Sequence, residues 1–211
     1  MAQEGPRERW LDVVSTVLLA LASVATAWSA YQARVWTGEQ ALGTSHATAA
    51  RIAVNRNSAF ASRQVQIDIA TFIQWVNAHE EHRTDLADFY RARFRPEFKP
   101  AFDAWLATRP LANKAAPPTP FAMLQYRLRS SAEADRLERK AAADSDHSRA
   151  SNEHADNYML AVVLFALALF FAGISTKLET SRARTVILGL GCVLFVGTVI
   201  WIATFPVHAT I

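Results

Sequence analysis

Three apolar stretches, one near the N-terminus and two near the C-terminus, flank a long, polar, alanine-rich middle, and each is long enough to cross a lipid bilayer. Residues 13–31 carry only small, aliphatic and aromatic side chains apart from Ser15, Thr16, Ser23, Thr26 and Ser29, whose hydroxyls can return to the helix's own carbonyls. Residues 158–175 and 185–205 contain no charged side chain. The expectation is an all-α integral membrane protein with three transmembrane helices. Arg7, Arg9 and the run Ala25-Thr26-Ala27 lend the first stretch some features of a cleavable signal. It is longer than a signal's apolar region and runs on into helical sequence, so a retained anchor is expected.

Charge sets the expected orientation. The loop 176–184 between the last two stretches holds Lys177, Arg182 and Arg184 against Glu179, and Arg7 and Arg9 precede the first stretch. Short basic flanks stay cytoplasmic. Residues 1–12 are therefore placed inside, the polar middle outside, and residues 206–211 outside as well. Trp28, Tyr31, Trp36, Tyr158 and Trp201 would gather near the outer interface and Trp10 at the inner one. This is the layout of a multi-pass protein of a bacterial inner (plasma) membrane with a periplasmic or extracellular body.

Within that body, 32–78 and 119–157 read as two long helices of an antiparallel hairpin stalk, joined by a small helical tip at 79–118. From Ala47 the small or apolar positions run Ala47, Ala50, Val54, Ser58, Ala61, Val65, Ile69, Phe72 and Val76, an eleven-residue repeat that predicts a straight or slightly right-handed seam. The returning arm is expected to open at Thr119-Pro120, a capping residue followed by proline. Its spacing recurs through Tyr126, Ser130, Ala134, Leu137, Ala141, Ser145 and Ser148. A seam of alanine and serine buries little area at about 25 cal/mol per Å², so homo-oligomerisation is expected. Ala20, Ser23, Ala27 and Ala30 extend the small stripe into the first span.

In the tip, Tyr90 and Phe94 stand four apart, Phe98 and Phe102 four apart, and Trp105 three further on. Two or three short helices separated by Pro96 and Pro100 should bury these rings together. Arg91, Arg93, Arg95 and Lys99 interleave with them. Together with Trp105 they are candidate contacts for an envelope protein, an anionic polymer or lipid. The competing reading has the cations ringing the aromatics and pairing with Asp85, Asp88, Glu97 and Asp103.

The run 91–107, Arg-Ala-Arg-Phe-Arg-Pro-Glu-Phe-Lys-Pro-Ala-Phe-Asp-Ala-Trp-Leu-Ala, with Pro117-Pro-Thr-Pro-Phe121 and Trp28-Ser-Ala-Tyr-Gln-Ala-Arg34, resembles segments of uncharacterised bacterial membrane proteins of the domain-of-unknown-function type. Those proteins have one span, a helical body and two terminal spans. The resemblance implies architecture and no reaction, cofactor or catalytic residue.

Two histidine clusters are candidate metal sites. His79-Glu80-Glu81-His82 lacks the second histidine spacing of a zinc protease, since Arg83 stands there, but His79, His82 and Asp85 could share a helical face. His46, Asp144 and His147 would come level if the hairpin register holds, with His154 nearby. Cys192 lies in the third span, so neither a disulfide nor a thiolate zinc site is expected in the body. With seven glycines and no phosphate loop, nucleotide fingerprint or nucleophile elbow, the chain shows no catalytic motif, and no cofactor is expected. The net charge of +3 is dispersed, and a body outside the cytoplasm meets no nucleic acid. The expected function is a non-enzymatic membrane scaffold or sensor that presents its tip to a partner. The alternatives are an oligomeric channel lined by Ser15, Thr16, Ser23 and Thr26, and a histidine-based metal-binding protein.

Overall fold

A computed structural model of the chain describes residues 6–110, 112–178 and 180–207, with side chains from Arg9 onward. The first five residues, the Arg7 side chain, Glu179 of the basic loop and residues 208–211 of the expected outer C-terminus lie outside the described residues. The described chain is all-helical, with five α-helices and no strand: α1 (Pro6–Glu80), α2 (Thr84–Arg93), α3 (Lys99–Ala107), α4 (Arg129–Ser175) and α5 (Ser181–Ile202), plus a 3₁₀ turn at Pro120–Ala122. Among the described residues, α1, α4 and α5 are long and apolar enough to cross a membrane. The third apolar stretch starts its helix earlier than the hydropathy suggests, at Ser181, and ends it at Ile202, ahead of Pro206.

The chain divides into two compact units, 1–45 with 144–211, and 46–143. In the first, α4 presents Ala155, Tyr158, Ala161, Phe165, Ala168, Ala172 and Ser175 inward at three- and four-residue spacing. Leu11 and Leu18 of α1 and Leu188 of α5 close over Ala172. At the other end of the same unit, Ala33, Trp36, Ala155 and Tyr158 pack with Ile202 and Phe205, and the Tyr158 hydroxyl donates to the Pro206 carbonyl at 3.2 Å. The hydroxyls of Ser15 and Thr16 donate to the Asp12 carbonyl, Ser23 to Leu19 and Thr26 to Ala22, so these polar groups are satisfied within α1. Arg184, in the first turns of α5, forms an ion pair with Asp12.

In the second unit the buried or half-buried positions of α1 are Ala47, Ala50, Ala53, Val54, Asn57, Ala61, Gln64, Val65, Asp68, Thr71, Phe72, Trp75, Val76 and Ala78. The expected seam is met at Ala47, Ala50, Val54, Ala61, Val65, Phe72 and Val76, while Asn57, Gln64 and Asp68 widen the stripe on one side. Ser58 and Ile69 are exposed, and Asp68 occupies the seam. The α4 segment matches its expected stripe at Ser130, Ala134, Leu137 and Ala141. However, α4 starts at Arg129 and not at Thr119. Pro120 opens a single 3₁₀ turn, after which Phe121, Met123 and Tyr126 turn inward onto the aromatic cluster, and regular helix begins once the Ala132 N–H reaches the Leu128 carbonyl.

Close helix approach makes one glycine necessary. A Cβ on Gly43 would stand 3.1 Å from the Ser148 Cβ and 3.2 Å from the Asp144 carbonyl oxygen, whereas one on Gly38 would meet nothing within 4 Å. Gly43→Leu is therefore expected to destabilise the protein by about 1–3 kcal/mol through overpacking. Gly38→Ala should stabilise it by about 0.5–1 kcal/mol by removing helix-interior glycine. Thermal unfolding of the two variants in detergent checks the opposite signs.

Candidate functional site

The tip is assembled by aromatic residues on four segments. Phe94 ends α2 because Pro96 follows, and Pro100 sits in the first turn of α3, where its missing N–H costs nothing. The two turns thereby aim Phe94, Phe98, Phe102 and Trp105 at Trp75 and Ala78 of α1, and Phe72, Phe121 and Tyr126 complete the cluster. Phe72 stands edge-on to Trp105 at 5.3 Å and to Phe121 at 5.8 Å, while Phe98 stacks on Phe121 at 5.2 Å. Such pairs add about 0.5–1.5 kcal/mol each beyond their buried area.

Beside this cluster lies the most strongly buried charge of the unit. The Asp68 side chain is 1% exposed, and its Oδ2 accepts from the Arg95 guanidinium at 2.8 Å and from the Tyr126 hydroxyl at 3.0 Å. Asp68 Oδ1 is buried without a hydrogen-bond partner. Arg95, 20% exposed, also pairs with Glu97, whose other oxygen accepts the Arg129 N–H at 3.3 Å. Glu97 thus places negative charge at the N-terminus of α4, where the helix dipole favours it. One turn of α1 away, the Ser130 hydroxyl donates to Gln64 Oε1 at 2.8 Å. Desolvation raises the Asp68 carboxyl above its ordinary range and outweighs the opposing pull of Tyr126 and Arg95. Burial and the neighbouring Asp68 charge push the Tyr126 hydroxyl well above its usual range too.

The expected site residues are divided by this packing. Trp105 is 5% exposed and belongs to the core, its indole N–H donating to the Pro117 carbonyl at 2.9 Å. Arg95 is held in the Asp68 network. Arg91 pairs with Asp103 at 2.7 Å, Arg93 lies 3.4 Å over the Phe89 ring, and Lys99 donates to the Ala92 carbonyl at 3.0 Å. Arg91 and Lys99 nevertheless line an open cleft of about 340 Å³ with Asp88 and Asp103. A second cleft of about 220 Å³, floored by Trp75 and Leu106 and edged by His79 and Thr84, shares Asp88 and Arg91 with it. The pair forms a surface of mixed charge around an aromatic floor, suited to a polymer or peptide that carries both charge and apolar groups.

The histidines are dispersed. His79 stacks on Trp75 at 4.9 Å, while His82, at φ 58°, makes the left-handed turn that follows the end of α1. Asp85 lies beyond that turn, in the first turn of α2, so the three do not share a helical face. His147 Nε2 lies 3.9 Å from a Glu39 carboxylate oxygen, His154 packs on Trp36, and His46 lines a cleft with Lys140. Among the described residues, no group of three or more histidine, cysteine, aspartate or glutamate side chains is placed to hold a metal ion, His46, Asp144 and His147 included. Sequence reasoning missed Asp68, Glu97 as a helix-end partner, and Tyr126 as a hydrogen-bond donor. The available signal was a lone carboxylate between Ile67 and Ile69 on an otherwise apolar helical turn.

Comparisons with protein-family models, with curated proteins and with solved structures return no match.

Arg95→Ala would leave the Asp68 carboxylate buried without its cation and is expected to cost about 3–5 kcal/mol. Adding Asp68→Asn should recover part of that loss, as read by unfolding followed through Trp75 and Trp105 fluorescence. Because folding raises the Asp68 pKa above 3.8, Asp68 contributes stability that is present below that value and lost as pH rises through the raised one. The stability of the native protein minus that of Asp68→Asn should therefore fall as pH increases from 3. A difference that grows with pH contradicts this sign.

Proposed function

We propose that the protein is a non-enzymatic, homo-oligomeric scaffold or sensor of a bacterial inner membrane. Three spans anchor a helical-hairpin stalk whose aromatic tip meets a partner in the cell envelope. The observation that carries this reading is that, away from the aromatic tip, each unit leaves many large apolar side chains exposed along helices whose buried stripe is rich in small or polar residues. In the first unit Val13, Val17, Leu21, Leu160, Val163, Phe170, Val193 and Ile200 are exposed, while Ser15, Ser29, Gln32, Ser175 and Thr198 are buried. Lipid is the solvent that matches such a surface. In the second unit Ile52, Phe60, Ile67, Ile69 and Ile73 are exposed along α1 over a seam of alanines. Exposed apolar groups of this size outside the lipid favour a protein contact.

Orientation follows from the basic residues Lys177, Arg182 and Arg184, with Arg184 paired to Asp12 at the same end of the first unit. On this reading the periplasmic or extracellular surface for a partner is the double cleft around Arg91 and Lys99, extended by Arg93. Trp105 and Arg95 support it from beneath.

The triple variant Arg91→Glu, Arg93→Glu, Lys99→Glu is expected to lose in-cell cross-linking of the tip to envelope components at least tenfold, with the subunit number and the unfolding midpoint unchanged. Undiminished cross-linking would contradict a role for this surface.

A further inference from the structure

Residues one place before the α1 seam form one flank of the second unit, on which Arg56, Phe60, Arg63 and Ile67 succeed one another and are all exposed. His46, Ala49 and Ala53 of that flank line a shallow cleft with Leu137 and Lys140. The Lys140 side of α4 therefore faces the same way. Arg136 is there too, and it holds Glu133 through two hydrogen bonds of 2.8 and 2.6 Å. This flank is strongly basic.

Residues one place after the α4 seam positions Ala134 and Leu137 face the opposite side. They are Asp135 and Glu138, both exposed, with Arg51 as the basic residue beside them on α1 and Ile69 further along. Among the described residues, Arg56, Arg63, Asp135 and Glu138 make no ion pair. Arg63 lies over the Phe60 ring at 5.9 Å. Opposite flanks of one unit thus carry opposite charge, and the basic one also exposes Phe60 and Ile67.

The two sets also match in level at Arg56. Gln64 meets Ser130 across the seam, and Ala53 shares its cleft with Leu137, so Arg56 stands near the level of Asp135 and Glu138, and Arg63 about two turns of α1 further along. Copies anchored in one bilayer stand at one height, which brings like levels together.

We propose that the second unit carries a head-to-tail self-association surface. The Arg56–Phe60–Arg63–Ile67 flank of one copy docks on the Asp135–Glu138 flank of the next. The proposal rests on the membrane-anchored, self-associating reading above and names the surface through which it operates. Such a contact uses two different patches on each subunit, so repetition either closes a ring or continues as a row. Charge opposition fixes register and partner, and the apolar groups beside it contribute buried area.

Cysteine cross-linking of the full-length protein in bilayers, in a Cys192→Ser background, tests this. Arg56 and Asp135 lie on opposite flanks of one subunit, too far apart for an internal disulfide, which needs Cα atoms within about 7 Å. The double variant Arg56→Cys, Asp135→Cys should give a ladder of cross-linked subunits on mild oxidation, and neither single variant should. Reversal by Arg56→Glu with Arg63→Glu should weaken association about tenfold, and adding Asp135→Lys with Glu138→Lys should restore it. Dimers formed by Arg56→Cys alone would establish a two-fold contact and overturn the head-to-tail surface while leaving homo-oligomerisation standing. An oligomeric mass without any of these cross-links would overturn the surface, and a monomeric mass would overturn both readings.

Discussion

Small side chains along the helix seams are the constraint on which the rest depends. Alanine, serine and glycine let two helical backbones approach until a methyl group on Gly43 would stand only 3.1 Å from the Ser148 Cβ. The same choice removes the large apolar area that would hold such a pair together in water. Each unit compensates differently. The first keeps its aliphatic groups on the outside, where lipid can solvate them. The second concentrates its aromatic residues at one end of its helices, where Phe98 and Phe102 are wholly buried. The buried Asp68 carboxylate sets the arrangement there, since it must be met by Arg95 from the α2–α3 connection and by Tyr126 from the approach to α4. A buried ion pair of this kind contributes less to net stability than to selecting one packing over others.

Much of the architecture was legible because its signals are local. Two of the apolar stretches lack charged residues altogether, and the spacing of Tyr90, Phe94, Phe98, Phe102 and Trp105 around two prolines suffices to place two short helices. The seam of α1 was less legible. Ser58, Ile69 and Val76 look more like interior residues than Asn57, Asp68 and Trp75 do, yet the chain buries the second set more deeply. Asn57 donates to the Ala53 carbonyl, Gln64 is met by Ser130, and Asp68 by residues 27 and 58 positions away. Partners so distant in sequence leave no periodic trace. The same holds for the start of α4, where tertiary burial of Phe121 and Tyr126 overrides a good local capping signal at Thr119-Pro120.

The site reading changes with this packing. Aromatic and basic residues alternating in sequence resemble an adhesive surface, but the fold takes Trp105 and Arg95 inward and spends several of the other charges on neighbours within the tip. What stays open is a pair of clefts around Arg91 and Asp88, on a rigid aromatic base. A rigid base, a surface of mixed charge and a flank able to meet a second copy are the properties of a presenting device, which is the basis of the proposed scaffold or sensor role.

The central claim is that the polar middle stands on the opposite side of the membrane from the basic loop. In a Cys192→Ser background, single cysteines at Ala115, in the exposed connection after α3, and at Lys177, between α4 and α5, can be probed with a membrane-impermeant maleimide on intact spheroplasts. Labelling of Ala115→Cys before permeabilisation, and of Lys177→Cys only after it, is the expected result. The reverse order, or labelling of both positions from outside, would contradict the account.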